Sequence, residues 1–432
     1  MKFPGQRKIK HYFPVANRKT VGEITKQSTI ESHICGIDQT LVDIEAPVND
    51  SFLAQFGLTK GTSSLVDDTQ AEAIYQMLMA DDLISHEFAG GTIGNTLHNF
   101  SVLSDARSVL FGVISDPIRA KGYAYQYLCN TSSKVDLDVL QPVSGPIGRC
   151  FTLISEDGER TFAFNRGMAN ALTSENIDRD VVKESSALVI SSYLMRGEDG
   201  DTIESATMTA IEYANQSGTP VVLSLGTKQI IEQDPQWWLA FISKHVTVLA
   251  MNEDEAETLT GQADPLLAAE HALEFADLVL LTAGAEGLYL SGYSDMDSRR
   301  TTSNPLKTSS IPDFNEFEFS RAMRKDDCHE PIKVYSHIEP YLGGPTAIKN
   351  TNGAGDGALS ALLHDMAANH YHQQYFPASS KHTKPALCYS SFAQVCKYSN
   401  RVSFEMLNQH SPRLSRGLPE REDSLEEAYW EQ

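Results

Sequence analysis

Four short apolar runs in the middle of the chain constrain its fold more than any other feature. They begin at Ala187 (ALVISSYL), Pro220 (PVVLSLG), Val246 (VTVLAMN) and Asp277 (DLVLLTAG), and segments of helical period separate them. Short runs that stay apolar at consecutive positions read as strands covered on both faces. Strands alternating with helices specify a parallel sheet with helices on each side. The expected fold class is therefore α/β, a three-layer α/β/α sandwich with a mainly parallel sheet. Each run ends in polar or small residues: Ser191 to Arg196, Gly226-Thr227-Lys228, Asn252 to Glu255, and Thr282-Ala283-Gly284. In a parallel sheet those ends share one edge, where open α/β sheets hold their ligands. An earlier strand ending at Gly36-Ile37 adds Asp38 to that edge, with Asp43 close behind.

One stretch has the chemistry to use such an edge. Asn350-Thr351-Asn352-Gly353-Ala354-Gly355-Asp356-Gly357 runs into apolar residues at helical spacing, Ala358, Leu359, Leu362, Leu363 and Met366. A flexible turn feeding a helix offers free N–H groups and the positive end of the dipole to an anion. Asp356 would sit where it could take a proton from an attacking hydroxyl, while the amides of Gly353 to Gly355 hold developing charge. Read alone, the string also fits a turn with a capping Asp. Dinucleotide binding is disfavoured because no β-like run precedes Gly353 and no acid lies between Asp365 and Glu405. A P-loop is excluded because the chain has no Gly-Lys dipeptide.

Composition narrows the partners. A formal charge of −22 over 432 residues argues against nucleic acid or anionic membrane as the main partner. No apolar run of about 20 residues is present to span a membrane, and the start, Met1 to Lys8, lacks the apolar core of a signal peptide. The six cysteines are scattered without a C-x-x-C pair, so reduced thiols in a cytoplasmic protein are expected. His370, His372 and His382 read as surface residues of a polar loop rather than metal ligands.

In chain order, residues 1–30 form a basic arm carrying Lys2, Arg7, Lys8, Lys10, Arg18, Lys19 and Lys26 against Glu23. Such an arm suits an anionic nucleotide effector, or the acidic surface of a second subunit. Asp68 to Met79 reads as an amphipathic helix. Gly90-Gly91 leads through Asn95 into another, and paired glycines let backbone approach a ligand closely. Residues 108–165 carry β patterns, with a hairpin signal at Asp157-Gly158. The region 292–349 reads as an insertion with a short strand near Ile332 to Tyr335. A second insertion spans about 370–385, Ala386 to Leu407 is helical, and 411–432 is a charged tail suited to docking on another subunit.

Asn350 to Asp356 resembles the second signature, D-T-x-G-A-G-D, of the ribokinase (PfkB) carbohydrate and nucleoside kinases, with Asn350 in place of the leading acid. Gly90-Gly91-x-x-x-Asn95 resembles the first signature, G-G-x-x-x-N. Asn252-x-x-Glu255 is similar to the family's N-x-x-E, and Thr282-x-Gly284-x-x-Gly287 to its T-x-G-x-x-G. The resemblance implies a ribokinase-like fold over about 31–410, with a small β-sheet lid formed by about 38–60 and 108–165. It makes Asp356 the catalytic base and the amides of Gly353, Ala354 and Gly355 the anion hole. Asp38, Asp43, Gly90, Gly91 and Asn95 would then hold the nucleoside. Apart from the resemblance, Arg196 at a strand end reads either as a contact to the base or as an ion-paired surface residue. ATP would lie along Thr282, Gly284, Gly287 and Asn400, and Asn252 with Glu255 would organise Mg²⁺ through water. The missing acid at Asn350 leaves a K⁺ site open. Lys2-Phe3-Pro4-Gly5 and Gly417 to Asp423 resemble the bacterial purine-nucleoside kinases of the family. That implies guanosine and inosine as acceptors in purine salvage by a homodimer. Adenosine or a free sugar is the alternative acceptor. From a different class, the chain could be a nucleotide-binding regulator without catalysis.

Overall fold

Val248 and Ala250 pack into one hydrophobic core, while their strand neighbours Leu249 and Met251 pack into another. Leu278 and Leu280 against Val279 and Leu281 repeat the division in the next strand. A strand with a core on each face has no solvent side, which is why these runs read as continuous apolar stretches. On one face lie Ala358, Leu359 and Leu362 of the helix Ala354–Tyr375, with Phe392 and Val395 of Phe392–Leu407. On the other lie Ala206, Ala210 and Ala214 of Ile203–Ser217, with Trp238 and Ile242 of Pro235–His245. Each large side chain fully buried there contributes about 1.5–3 kcal/mol. The result is the three-layer sandwich.

The computed structural model describes residues 33–120, 122–195, 202–302, 311 and 314–418. The basic arm of residues 1–30 lies outside them. The large sheet has nine strands, ordered β16 (Pro331–Ile338), β15 (Leu288–Asp295), β14 (Leu278–Thr282), β13 (Val248–Asn252), β12 (Val221–Ser224), β11 (Leu188–Ser191), β1 (Ile34–Ile37), β5 (Ser108–Phe111) and β7 (Val135–Asp136). From β14 to β7 every pairing is parallel. β15 and β16 add to the β14 edge antiparallel. A smaller sheet runs β3 (Ser63–Leu65), β10 (Arg160–Asn165), β9 (Gly148–Ile154), β2 (Leu41–Pro47) and β4 (His86–Ala89), and β6 (Val113–Ser115) pairs with β8 (Gln141–Val143). The β9–β10 hairpin closes through Gly158, whose φ of 85° suits glycine. Among the described residues no helix is long and apolar enough to cross a membrane.

Four expectations are corrected. Residues 108–111 belong to the large sheet rather than the lid. All four are buried, as a strand covered on both faces must be, whereas lid strand β10 alternates buried and half-exposed positions. The region 292–349 holds part of β15 and all of β16, so it completes the sheet edge instead of hanging from it. The helix that follows Gly353 continues through 370 to Tyr375, and His372 is buried against Phe376, His382 and Tyr389 rather than in a surface loop. The last helix begins at Phe392, not Ala386, because Ser391 and Gln394 form a capping box there.

Candidate active site

The strand ends meet at a cavity of about 1220 Å³ between the edge of the large sheet and the small one. That exceeds the 300–1,000 Å³ or so of a typical single-ligand pocket and is room for two ligands. Asp38, Ser224, Asn252 and Thr282 line it from the large sheet, and Asp43, Cys150, Phe162 and Phe164 from the small one. Gly353, Ala354, Gly355 and Asp356 form its floor.

One end of the cavity is built around acids. On β2, Val42, Ile44 and Ala46 are buried in the core, which by strand alternation turns Asp43 to the cavity. Asp43 and Asp38 close onto the glycine pair. A Cβ on Gly90 would lie 2.4 Å from Asp43 Oδ2, and one on Gly91 2.3 Å from Asp38 Oδ2. Gly91, with φ of 89°, then opens the helix Thr92–Ser104, whose Gly94 N–H donates to Asp38 Oδ2 at 2.7 Å. One turn on, Asn95 Nδ2 donates to Asp356 Oδ2 at 3.2 Å, so the two glycine-rich signatures meet. Burial pushes the Asp38, Asp43 and Asp356 carboxyls up to about 7, and the guanidinium of Arg413 opposes the rise at all three.

Gly353 caps the helix Ala354–Tyr375 in the left-handed region, φ 81°. The N–H groups of that first turn have no partner within the helix, and nothing stands within 4 Å of where a Gly355 Cβ would be. Open space at a helix N-terminus beside a carboxylate can accept a phosphoryl group and a proton.

At the other end Thr282, Gly284, Gly287 and Asn400 all line the cavity. Gly287 is obligatory. Its φ is 95°, and a Cβ would lie 2.0 Å from the Ile338 carbonyl oxygen. Asn400 points its amide donor at the Glu339 carbonyl, 2.7 Å away, so its contribution to the wall is fixed by the chain itself. Asn252 and Glu255 form a capping box. Glu255 N–H donates to Asn252 Oδ1 at 2.9 Å, and Glu255 Oε2 accepts from Asn252 N–H at 2.9 Å. Glu255 Oε1 also accepts from Asn252 Nδ2 at 3.0 Å. With both oxygens engaged, the pair suits a hydrated cation better than direct ligation, and no cluster of three or more His, Cys, Asp or Glu suited to a metal occurs among the described residues. Asn350 is likewise engaged, accepting from Asn352 N–H at 3.0 Å and donating to the His410 carbonyl at 2.8 Å.

Arg196 lies outside the described residues. Arg413 is the member that sequence reasoning missed. It comes from a tail expected to dock on another subunit, and nothing local in the sequence marks it.

Residues 84–308 match the family model described as pfkB family carbohydrate kinase. Over its whole length the chain is similar to the guanosine-inosine kinase of Escherichia coli (strain K12), 59% identical with 100% of both chains covered. Its fold is similar to that of the adenosine kinase from Sinorhizobium meliloti, with a TM-score of 0.64 at 20% identity over 92% of this chain and 99% of that one. A probable sugar kinase from Rhizobium etli CFN 42 gives 0.65 at 17% identity over 92% and 98%. Those structures speak for the fold alone. The full-length identity speaks for descent, and with the signatures meeting in one cavity it leaves a single assignment: the chain belongs to the pfkB family of carbohydrate kinases.

Proposed function

We propose that the chain is an ATP-dependent nucleoside kinase that transfers the γ-phosphoryl group of ATP to the 5′-hydroxyl of guanosine and inosine, giving GMP or IMP and ADP in purine salvage. The observation that carries this reading is Asp356 at an open helix N-terminus, on the floor of a cavity roomy enough for a nucleoside and a nucleotide. The 59% identity to a protein named guanosine-inosine kinase supports purine acceptors over adenosine or a free sugar. The yeast adenosine kinase, by comparison, is 26% identical over 50% of this chain.

In this mechanism Asp43 and Asp38 hold the ribose hydroxyls, and Asn95 with Gly91 fixes the sugar's approach to Asp356. Asp356 accepts the 5′-hydroxyl proton as the hydroxyl attacks in line. The amides of Gly353, Ala354 and Gly355 neutralise charge on the transferring group. The small sheet excludes water, which would otherwise compete as acceptor. ATP lies along Thr282, Gly284, Gly287 and Asn400. Mg²⁺ arriving with ATP would supply further charge neutralisation, its waters held by Asn252 and Glu255. We read the enzyme as a cytoplasmic homodimer, which sedimentation tests.

Turnover measured as ADP release should be fastest with guanosine and inosine and much slower with adenosine or ribose. Equal rates with adenosine would displace the purine assignment. Glu255→Gln should raise the Mg²⁺ concentration for half-maximal activity by about 10–100-fold, as loss of an outer-shell partner does, with the nucleoside KM within a few-fold. An unchanged Mg²⁺ titration would make the pair a helix cap alone.

A further inference from the structure

The segment His410–Leu414 has no regular secondary structure, yet Pro412, Arg413 and Leu414 are buried. Irregular backbone can be buried only if its polar groups find partners. Here every carbonyl does, and each partner is a side chain. His410 O accepts from Asn350 Nδ2 at 2.8 Å and Pro412 O from Asn99 Nδ2 at 3.2 Å. Leu414 O accepts from His98 Nε2 at 2.9 Å, while Ser411 O and Arg413 O accept from Gln409 Nε2 at 2.9 and 3.1 Å. Asn99 also accepts from Leu414 N–H at 2.8 Å. Such a set is a built dock rather than a loose tail.

The dock sits against both signatures. Pro412 presses on the helix cap, where a Cβ on Gly353 would lie 2.8 Å from the proline Cβ. Arg413 donates from Nε to Asn95 Oδ1 at 2.9 Å, from one terminal nitrogen to Gly90 O at 2.9 Å, and from the other to Thr131 Oγ1 at 2.6 Å. Its guanidinium carbon lies 5.2 Å from the Tyr127 ring centroid. The Asn130 carbonyl is a fourth, longer acceptor at 3.5 Å, and none of the four is a carboxylate. With Oδ1 of Asn95 engaged by a cation, the amide can face Asp356 only through Nδ2, as it does. Arg413 therefore sets which end of Asn95 meets Asp356.

We propose that His410–Leu414 is an integral part of the active site, with Arg413 the positioning residue that holds Asn95 and Gly90 against the acids of the acceptor site. The proposal rests on the reading of Asp356 as the base and deepens it. Arg413 acts through Asn95 and through its charge. It also explains the departure from the family motif at position 350. The carbonyl of His410 needs a donor there, which Asn350 has and an ionised acid lacks.

The test compares Arg413→Met and Arg413→Lys in the full-length enzyme. The titratable groups that feel this cation are Asp38, Asp43, Asp356, His98 and Tyr127. Arg413→Met should lower kcat/KM for guanosine by about 10²-fold, the scale of a misplaced reacting group, while leaving the KM for ATP within a few-fold. Because a cation holds carboxyl pKa values down, its loss should also move the acid limb of that profile to higher pH. Arg413→Lys keeps the charge without the three-way fork. It should return the limb toward its original pH and leave most of the rate loss in place. Wild-type rate and limb in Arg413→Met would overturn the proposal. If that variant does not fold, Asn350→Asp decides the matter, because it sets an acceptor against the His410 carbonyl and leaves Arg413 intact. A loss confined to guanosine kcat/KM upholds the proposal, and wild-type kinetics overturn it. An inactive Asp356→Asn beside a normal Arg413→Met removes this inference alone, whereas an active Asp356→Asn removes the reading beneath it.

Discussion

Asp356→Asn is expected to lower turnover by about 10²–10⁴-fold, the usual worth of a positioned base, with guanosine and ATP binding within a few-fold. The amide can still accept from Asn95, so the resting geometry should survive while the proton acceptor is lost. Burial, the dominant cause, holds the Asp356 carboxyl near 7, aided by the like charges of Asp38 and Asp43. The bond from Asn95 and the field of Arg413 oppose it. Because the base acts ionised, kcat/KM for the nucleoside should rise with pH through about 7 and then level. Three coupled acids titrate there, so the midpoint belongs to the set. The same shift has a stability consequence. A carboxyl raised from 3.8 to about 7 contributes stability to the folded state that is fully present below about pH 4 and lost as pH rises through about 7. Near-normal turnover in Asp356→Asn, measured as ADP release, would end the base assignment.

Asp43→Ala is expected to raise the KM for guanosine far more than the KM for ATP. A carboxylate receiving two ribose hydroxyls loses about 1.5–3 kcal/mol per charge-assisted bond, roughly 10–150-fold each. The side chain sits mid-strand between Cys150 of β9 and Phe88 of β4, so the backbone that presents it is paired on both sides. Steady-state kinetics with each substrate varied in turn give the readout. Should both constants move together, Asp43 is structural and Asp38 becomes the ribose ligand.

Most of the sheet was legible because its strands are buried on both faces, and such runs announce themselves. The same rule separates Ser108–Phe111 from the lid once burial is seen, but in sequence that strand lies among lid strands and both kinds read as β. Gly90 and Gly91 were legible for a different reason. Only a residue without a Cβ lets Asp43 and Asp38 approach as they do. Asn252-x-x-Glu255 remained ambiguous because one pattern serves a helix cap and a hydrated ion, and the structure engages it as a cap. Arg413 was out of reach. Its bond to Asn95 spans 318 positions, and it stands in a polar segment with no period of its own. A side-chain-satisfied backbone has no local sequence signature, because its partners come from three separate places in the chain, His98-Asn99, Asn350 and Gln409.

Everything in this mechanism turns on transfer to the nucleoside 5′-hydroxyl. Its most direct test incubates the enzyme with ATP, Mg²⁺ and either guanosine or 5′-deoxyguanosine, then identifies the products by chromatography and ³¹P NMR. The expected result is GMP phosphorylated at the 5′ position, formed in step with ADP, and no phosphorylated product from 5′-deoxyguanosine. Phosphorylation of the 5′-deoxy compound, or ADP release from guanosine without GMP, would contradict it.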